Sequence, residues 1–270
     1  MPKPNSAMDV FKHLEKSNCR ECGEKTCLAF AAAVYQSRKQ ISLCPRINSE
    51  IIELYSSDNK TNTNEDFGEQ FIENLKQTLS GIDLAEAAKR IGGSYDGSKL
   101  TVKIMGKDFG VDSKGNFSSD IHVNPWVSAP FLEYVIYSKG VDPAGEWVSF
   151  RELKEAKNFS YPFFQKRCES AMKRIADTYT DLFEDLVHIF GGRKVAEQFE
   201  SDVSVVLHPL PKLPMMISYW KPEDELVSTL NLFFDKSADE NLPNGSLFTV
   251  CVGLATMFER LSERHASFTA

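Results

Sequence analysis

Over the first sixty residues, apolar positions fall into short helical runs separated by polar turns. In residues 6–18, "SAMDVFKHLEKSN", Val10, Phe11 and Leu14 form a one-sided stripe. Ser6 and Asp9 stand at capping-box spacing and Asn18 is a stop signal, so one helix is expected there. A loop follows, and "CLAFAAAVYQSRK" opens a second helix at Cys27. Residues 45–56, "PRINSEIIELYS", are read as helical. Residues 57–68, "SDNKTNTNEDFG", are polar and aperiodic and are read as a linker. The expected organisation is a small domain at 1–56, a linker at 57–68 and a larger domain at 69–270.

Beyond residue 69 the periods mix. Residues 69–81 and 83–93 are helical patterns that end at glycine, and 99–120 alternates in short runs broken at Gly106-Lys107 and Lys114-Gly115-Asn116, a hairpin meander. Residues 125–140 and 177–192 are expected to be helices. Residues 203–220 read as two strands around a proline-rich turn, 228–235 as a third strand, and 245–264 as a long buried helix. Strands and crossover helices do not alternate regularly, so the expected class is α+β: a small helical lobe tethered to a larger mixed domain with antiparallel strands.

The chain has 270 residues, 42% hydrophobic and 26% charged, with net charge −7. Residues 1–50 hold 8 basic and 5 acidic side chains, so the acidic excess lies entirely in the remainder. An acidic body argues against nucleic acid as the main partner. The opening is polar and charged, without a secretory pattern, and the longest apolar run, residues 28–35, is too short for a membrane span. A cytoplasmic location is expected, where clustered cysteines suggest metal binding before disulfides.

Four of the six cysteines, Cys19, Cys22, Cys27 and Cys44, stand in one stretch with the spacing Cys-x2-Cys-x4-Cys-x16-Cys-Pro. Tetrathiolate sets suit zinc or an iron–sulfur cluster. A second Cys-x2-Cys knuckle, usual in zinc ribbons, is missing. Gly23 would let backbone approach inorganic sulfide, Cys27 at a helix N-terminus favours thiolate, and "AFAAA" offers a small-residue face beside a bulky group. A [4Fe–4S] cluster on these four cysteines is therefore preferred over zinc.

The stretch resembles the small iron–sulfur domain of the corrinoid iron–sulfur protein's larger subunit. Similar domains occur in the B subunit of the Rnf electron-transport complex. The resemblance is carried by Asn18, Cys19, Cys22-Gly23, Thr26-Cys27, Ala29-Phe30-Ala31 and Cys44-Pro45 and covers about residues 8–56. It implies one [4Fe–4S] cluster exchanging electrons at low potential, with a corrinoid protein or low-potential anaerobic enzyme as partner. Residues 90–262 resemble a family of uncharacterised domains of anaerobic microbes, through "GEWVSFREL", "SYPFF", "SDVSVVLHPLPKLPMMISYWKPEDEL" and "NLFFDKSADENLP". That implies a fold and a domain pairing, and no reaction.

Elsewhere no catalytic constellation stands out. His13, His122, His188, His208 and His265 show no metal spacing, and Cys168 and Cys251 fit helix cores better than nucleophiles. Asp202, Trp220, Lys221, Glu223, Asp224, Glu225 and Asp235 fall at expected strand ends, where such residues can line a cleft. The plainer reading, which is preferred, makes Asp235 a helix cap and the acidic triplet a solvated turn. The chain is read as a redox accessory protein. The alternatives are a module whose ligand affinity follows the cluster state, or an enzyme with an unread site in the larger domain.

Overall fold

The structure, a computed structural model, describes residues 6–35, 39–48, 51–52, 64–154, 156, 160–179, 181–196, 199–223 and 226–269, with backbone alone at 64–67 and 264–269. The chain divides into two compact units, Met1–Phe71 and Ile72–Ala270.

In the first unit, helix α1 is Ala7–Lys12 and helix α2 is Cys27–Tyr35. Ser6 is extended and its Oγ accepts the Asp9 N–H, the capping expected from the sequence. The helix stops at His13 rather than near Asn18, because Lys16, Asn18 and Arg20 all take positive φ. Val10, Leu14, Phe30, Ala31 and Ile41 form a small apolar cluster with Cys27 and Cys44. Of the helix expected at 45–56, residues 45–48 are not helical and follow a 3-10 turn, Ile41–Leu43, and Cys44; Ile51 and Ile52 are helical, and residues 49–50 lie outside the described residues. Residues 53–63, with most of the expected linker, lie outside the described residues.

Helix α3 is Asn64–Leu79, so the last residues of the expected linker are helical. In the second unit, helix α4, Leu84–Ile91, is capped by Asp83, whose carboxylate accepts the Ala85 and Glu86 N–H groups, and it ends at Gly92 in the left-handed region. A four-stranded antiparallel meander follows: β1 Ser94–Tyr95, β2 Lys99–Ile104, β3 Lys107–Asp112 and β4 Phe117–Ser119. Helix α5, Pro125–Tyr137, is held at its C-terminal end by Arg90, whose guanidinium donates to the Val135 carbonyl at 2.8 Å and to that of Ser138. The following turn needs glycine: Gly140 has φ +70, and a Cβ there would stand 2.4 Å from the Arg90 carbonyl oxygen.

The second sheet is antiparallel in the order β5-β9-β8-β7-β6: β5 Trp147–Ser149, β6 Arg193–Lys194, β7 Val203–Leu210, β8 Leu213–Trp220 and β9 Thr229–Asp235. Register aligns Val205, Ile217 and Leu232, and beside them Leu207, Met215 and Phe234, on one face. That alternation buries the face in the unit's continuous core, with the helices. Helix α6 runs as Tyr161–Phe164, a π-helical turn Gln165–Glu169, then Ser170–Thr178. The single helix expected at 177–192 is instead the end of α6 and a separate helix α7, Leu182–Phe190, because Tyr179 is extended. Short α8, Ala238–Asn241, leads to the long helix α9, Asn244–Thr269. The expected α+β class with antiparallel strands is the class observed.

Asp235 closes β9 at 1% exposure. Its carboxylate accepts the Ala144 and Gly145 N–H groups at 2.9 and 2.7 Å, and the Ser237 N–H and Oγ at 2.9 and 2.7 Å. Burial pushes this carboxyl up, but the hydrogen bonds from Ser237, Ala144 and Gly145 outweigh it and hold the value below the ordinary carboxylate range. The unfolded chain therefore binds this proton more tightly. The stabilisation is complete above the unfolded value of about 4 and is lost as pH falls through the depressed folded value. Asp235→Asn places an amide N–H₂ among donors and should destabilise this unit by about 2–4 kcal/mol at neutral pH. Melting temperatures of both proteins across pH 2–7 check this; the gap should close as the pH drops below about 4.

Candidate metal centre

The loop between α1 and α2 is made of left-handed turns. Lys16, Asn18 and Arg20 have φ of 63°, 51° and 65°, and Gly23 has +79°. Such angles cost a non-glycine residue roughly 1–2 kcal/mol, so the loop needs external fixing. Asn18 supplies part of it. Its Oδ1 accepts the Cys27 N–H at 2.8 Å, and its own N–H donates to Cys27 Sγ at 3.3 Å. Thr26 caps the start of α2, its Oγ1 accepting the Ala29 N–H at 3.1 Å. The turn carrying Cys22 is closed by the Gly23 N–H on the Arg20 carbonyl at 2.9 Å.

Cys27 and Cys44 are buried, and Cys19 and Cys22 are half-buried. Cys27 and Cys44 belong to the small apolar cluster, and Cys22 packs against it. The Cys44 thiol senses the other three cysteines. Burial pushes the Cys44 thiol up, the Arg46 N–H pulls the other way, and Cys22, Cys19 and Cys27 raise it further. Charge around the loop is partly neutralised: Arg46 pairs with Glu21 at 3.0 Å and Glu15 at 3.4 Å, and Lys39 with Glu24 at 2.9 Å. Arg20 and Lys25 are exposed.

Among the described residues, no three His, Cys, Asp or Glu side chains are grouped to hold one metal ion. The donor set itself, four unpaired thiols with backbone N–H groups directed at two of them, suits an iron–sulfur group. Thiolates are the ligands such clusters use, and amide donors to sulfur stabilise that charge.

The remaining candidates do not assemble. His13, His122, His188 and His208 are exposed on separate elements, and the side chain of His265 lies outside the described residues. Cys168 and Cys251 are fully buried in the larger unit, where Cys251 Sγ stands 4.0 Å from Met215 Sδ. Burial, and then the neighbouring Cys168, push the Cys251 thiol well above its usual value, which makes it inert. The cleft considered at the strand ends does not form. Antiparallel pairing sets Trp220 against Thr229 but Asp235 against Trp147, so these side chains stand at opposite ends of β9. Asp202 accepts the Lys221 N–H at 2.7 Å, and Asp224 and Glu225 lie outside the described residues.

Three residues escaped sequence reasoning. Lys39 and Arg46 have no motif to mark them. Glu169, 2% exposed on the π-helical turn, accepts the Leu232 N–H at 3.1 Å and the Tyr161 hydroxyl at 3.0 Å, and burial raises its pKa. It satisfies a β9 N–H beyond the reach of β5, which pairs with β9 from Phe233 onward.

Comparison with known proteins follows the same division. Residues 14–46 match a family model described as "Putative Fe-S cluster". Over 64 residues the chain is 42% identical to the acetyl-CoA decarbonylase/synthase complex subunit gamma of Methanocaldococcus jannaschii, which takes in 21% of this chain and 13% of that one. Over 45 residues it is 38% identical to the corrinoid/iron-sulfur protein large subunit of Moorella thermoacetica, 17% of this chain and 10% of the relative. The chain thus spans a small fraction of the curated relatives it matches. No solved structure matches. Residues 83–257 match the model of the family described as "Domain of unknown function (DUF3786)". Since that match takes in well over half of its length, the chain belongs to this family, and an iron–sulfur domain like that of corrinoid/iron-sulfur large subunits precedes the family's domain.

Proposed function

We propose that the chain is an electron-transfer accessory protein that holds one [4Fe–4S] cluster on Cys19, Cys22, Cys27 and Cys44. The observation that carries this reading is the pair of main-chain N–H groups, of Asn18 and Arg46, directed at the Cys27 and Cys44 sulfurs beside a small core that Cys22 also packs against. Bound there, the cluster supplies one-electron chemistry at a potential set by its surroundings. The chain's own residues do the rest. Cys27 and Cys44 hold from the sheltered side, and Cys19 and Cys22 from the half-exposed side. Phe30, Ala31 and Ile41 keep water from the inner pair, and Asn18 fixes the loop to the helix start.

The half-exposed side is the proposed exchange face. With Glu21 and Glu24 neutralised by Arg46 and Lys39, Arg20 and Lys25 leave that rim positive. A positive rim attracts an acidic partner and speeds association at low salt. The relatives' names suggest the partner class: a corrinoid protein or a component of an acetyl-CoA decarbonylase/synthase complex. The larger unit, in this reading, binds that partner. The cluster domain at 1–56 and the larger domain at 69–270 act as separable parts joined through 57–68. No helix among the described residues is long and apolar enough to cross a membrane.

Anaerobically prepared protein should carry about four iron and four sulfide per chain. Serine at Cys19, Cys22, Cys27 or Cys44 should cut the iron content, whereas Cys168→Ser and Cys251→Ser should leave it unchanged. One zinc without sulfide would sink the proposal. Residues 64–270 alone should melt cooperatively without iron, as calorimetry can check. In stopped-flow experiments, transfer from the reduced protein to its partner should slow with added salt, and Arg20→Glu with Lys25→Glu should slow it about tenfold at low salt while iron content is unchanged. A cluster that falls apart on reduction would favour a structural or sensing role instead.

A further inference from the structure

Lys39 lies outside the cysteine pattern, yet it reaches into the ligand loop. Its backbone N–H donates to the Ala33 carbonyl at 3.3 Å, which ties it to the last turns of α2. Its side chain runs back to the turn between the second and third cysteines. There the ammonium donates to the Cys22 carbonyl at 3.1 Å and pairs with Glu24 at 2.9 Å. A Cβ on Gly23 would stand 3.3 Å from the same nitrogen. Cys22, Gly23 and Glu24 thus form a seat for one ammonium group.

The contacts are those of a brace. The Cys22 peptide sits in a turn with left-handed residues on both sides, Arg20 and Gly23, and one internal hydrogen bond from the Gly23 N–H. Lys39 adds a charge-assisted hydrogen bond to the carbonyl of the ligand residue itself. The side chains of Lys39 and Glu24 are 27% and 30% exposed, so the pair is screened less than an open surface pair.

We propose that Lys39 is a positioning residue for the cysteine site: it holds the Cys22 turn in place, and its pairing with Glu24 balances the charge beside the four thiols. This rests on the cluster reading of the site given above. Two consequences differ in sign. Loss of either partner loosens the loop, so iron should escape faster. The charge effects oppose each other. Lys39→Met leaves the Glu24 carboxylate uncompensated, which disfavours an added electron and lowers the reduction potential. Glu24→Gln leaves the Lys39 ammonium uncompensated and raises it. A brace with no electrostatic role would not produce opposite shifts.

The test uses the full chain, reconstituted anaerobically with iron and sulfide, as wild type, Lys39→Met, Lys39→Arg and Glu24→Gln. Two quantities are read: the rate of iron loss to a chelator, and the potential from a spectroelectrochemical titration. Lys39→Met should lose iron roughly tenfold faster, as for other outer-sphere partners of metal ligands, with Lys39→Arg closer to wild type. The potential should fall in Lys39→Met and rise in Glu24→Gln. If Lys39→Met does not assemble a cluster, Glu24→Gln, which keeps the bond to the Cys22 carbonyl, still reports the charge effect through its upward shift. Unchanged iron loss and potential in Lys39→Met, or shifts of one sign in both variants, would overturn the assignment. A wild-type chain that takes up no iron would instead overturn the site reading, before any variant is compared.

Discussion

The first unit depends on fixing a strained, cysteine-bearing loop with very little core to do it. Among the described residues its buried apolar cluster is a handful of side chains, two of them cysteines, and units this small rarely stand on apolar burial alone. The loop that brings Cys19 and Cys22 inward adds to the difficulty, since Lys16, Asn18 and Arg20 all take left-handed backbone angles. The compensation is polar and specific: the two-way clasp between Asn18 and Cys27, the Thr26 cap, and the Lys39 ammonium on the Cys22 carbonyl. Ligation would complete this set, because metal binding to such a site is also folding free energy.

The same contacts divide the lobe by exposure and charge. Cys27 and Cys44 face the apolar cluster, while Cys19 and Cys22 are half-open. Acidic residues near the loop are occupied by Arg46 and Lys39, and Arg20 and Lys25 stay exposed. That division is what the proposed electron exchange requires: shelter for two sulfurs and access to the other two.

In the larger unit, buried polar groups serve the backbone. Asp235 gathers N–H groups from Ala144, Gly145 and Ser237. Glu169 takes the Leu232 N–H, and Asn241 binds the carbonyls of Val141 and Lys212. The hydroxyl of Tyr134 donates to the Ile91 carbonyl and accepts the Lys212 N–H. These groups stitch loops to strands around an aromatic core in which Phe150 and Phe164 stack at 4.1 Å and both meet Phe234 edge-on. Carboxylates that look available in a sequence are here committed to structure.

Much was legible in the order of residues, and it was the local part. The Ser6 cap, the glycine stop after Ile91 and the strands β7 to β9 are set by neighbours within a few positions. Local rules also misjudged local things. Helix α1 ended early because the turns required near Cys19 overrode a continuing apolar stripe, and the helix expected at 177–192 broke at the extended Tyr179. The supposed cleft failed for a longer-range reason: whether Asp235 faces Trp220 depends on strand direction, which composition does not encode. Lys39 is the clearest case. Nothing marks it among the chain's other lysines, because its role depends on the path that returns its side chain to Cys22 and Glu24, many residues earlier. Residue spacing specified which thiols could share a site; folding alone decided which charged side chains would hold their loop, because that is a matter of distances across the chain.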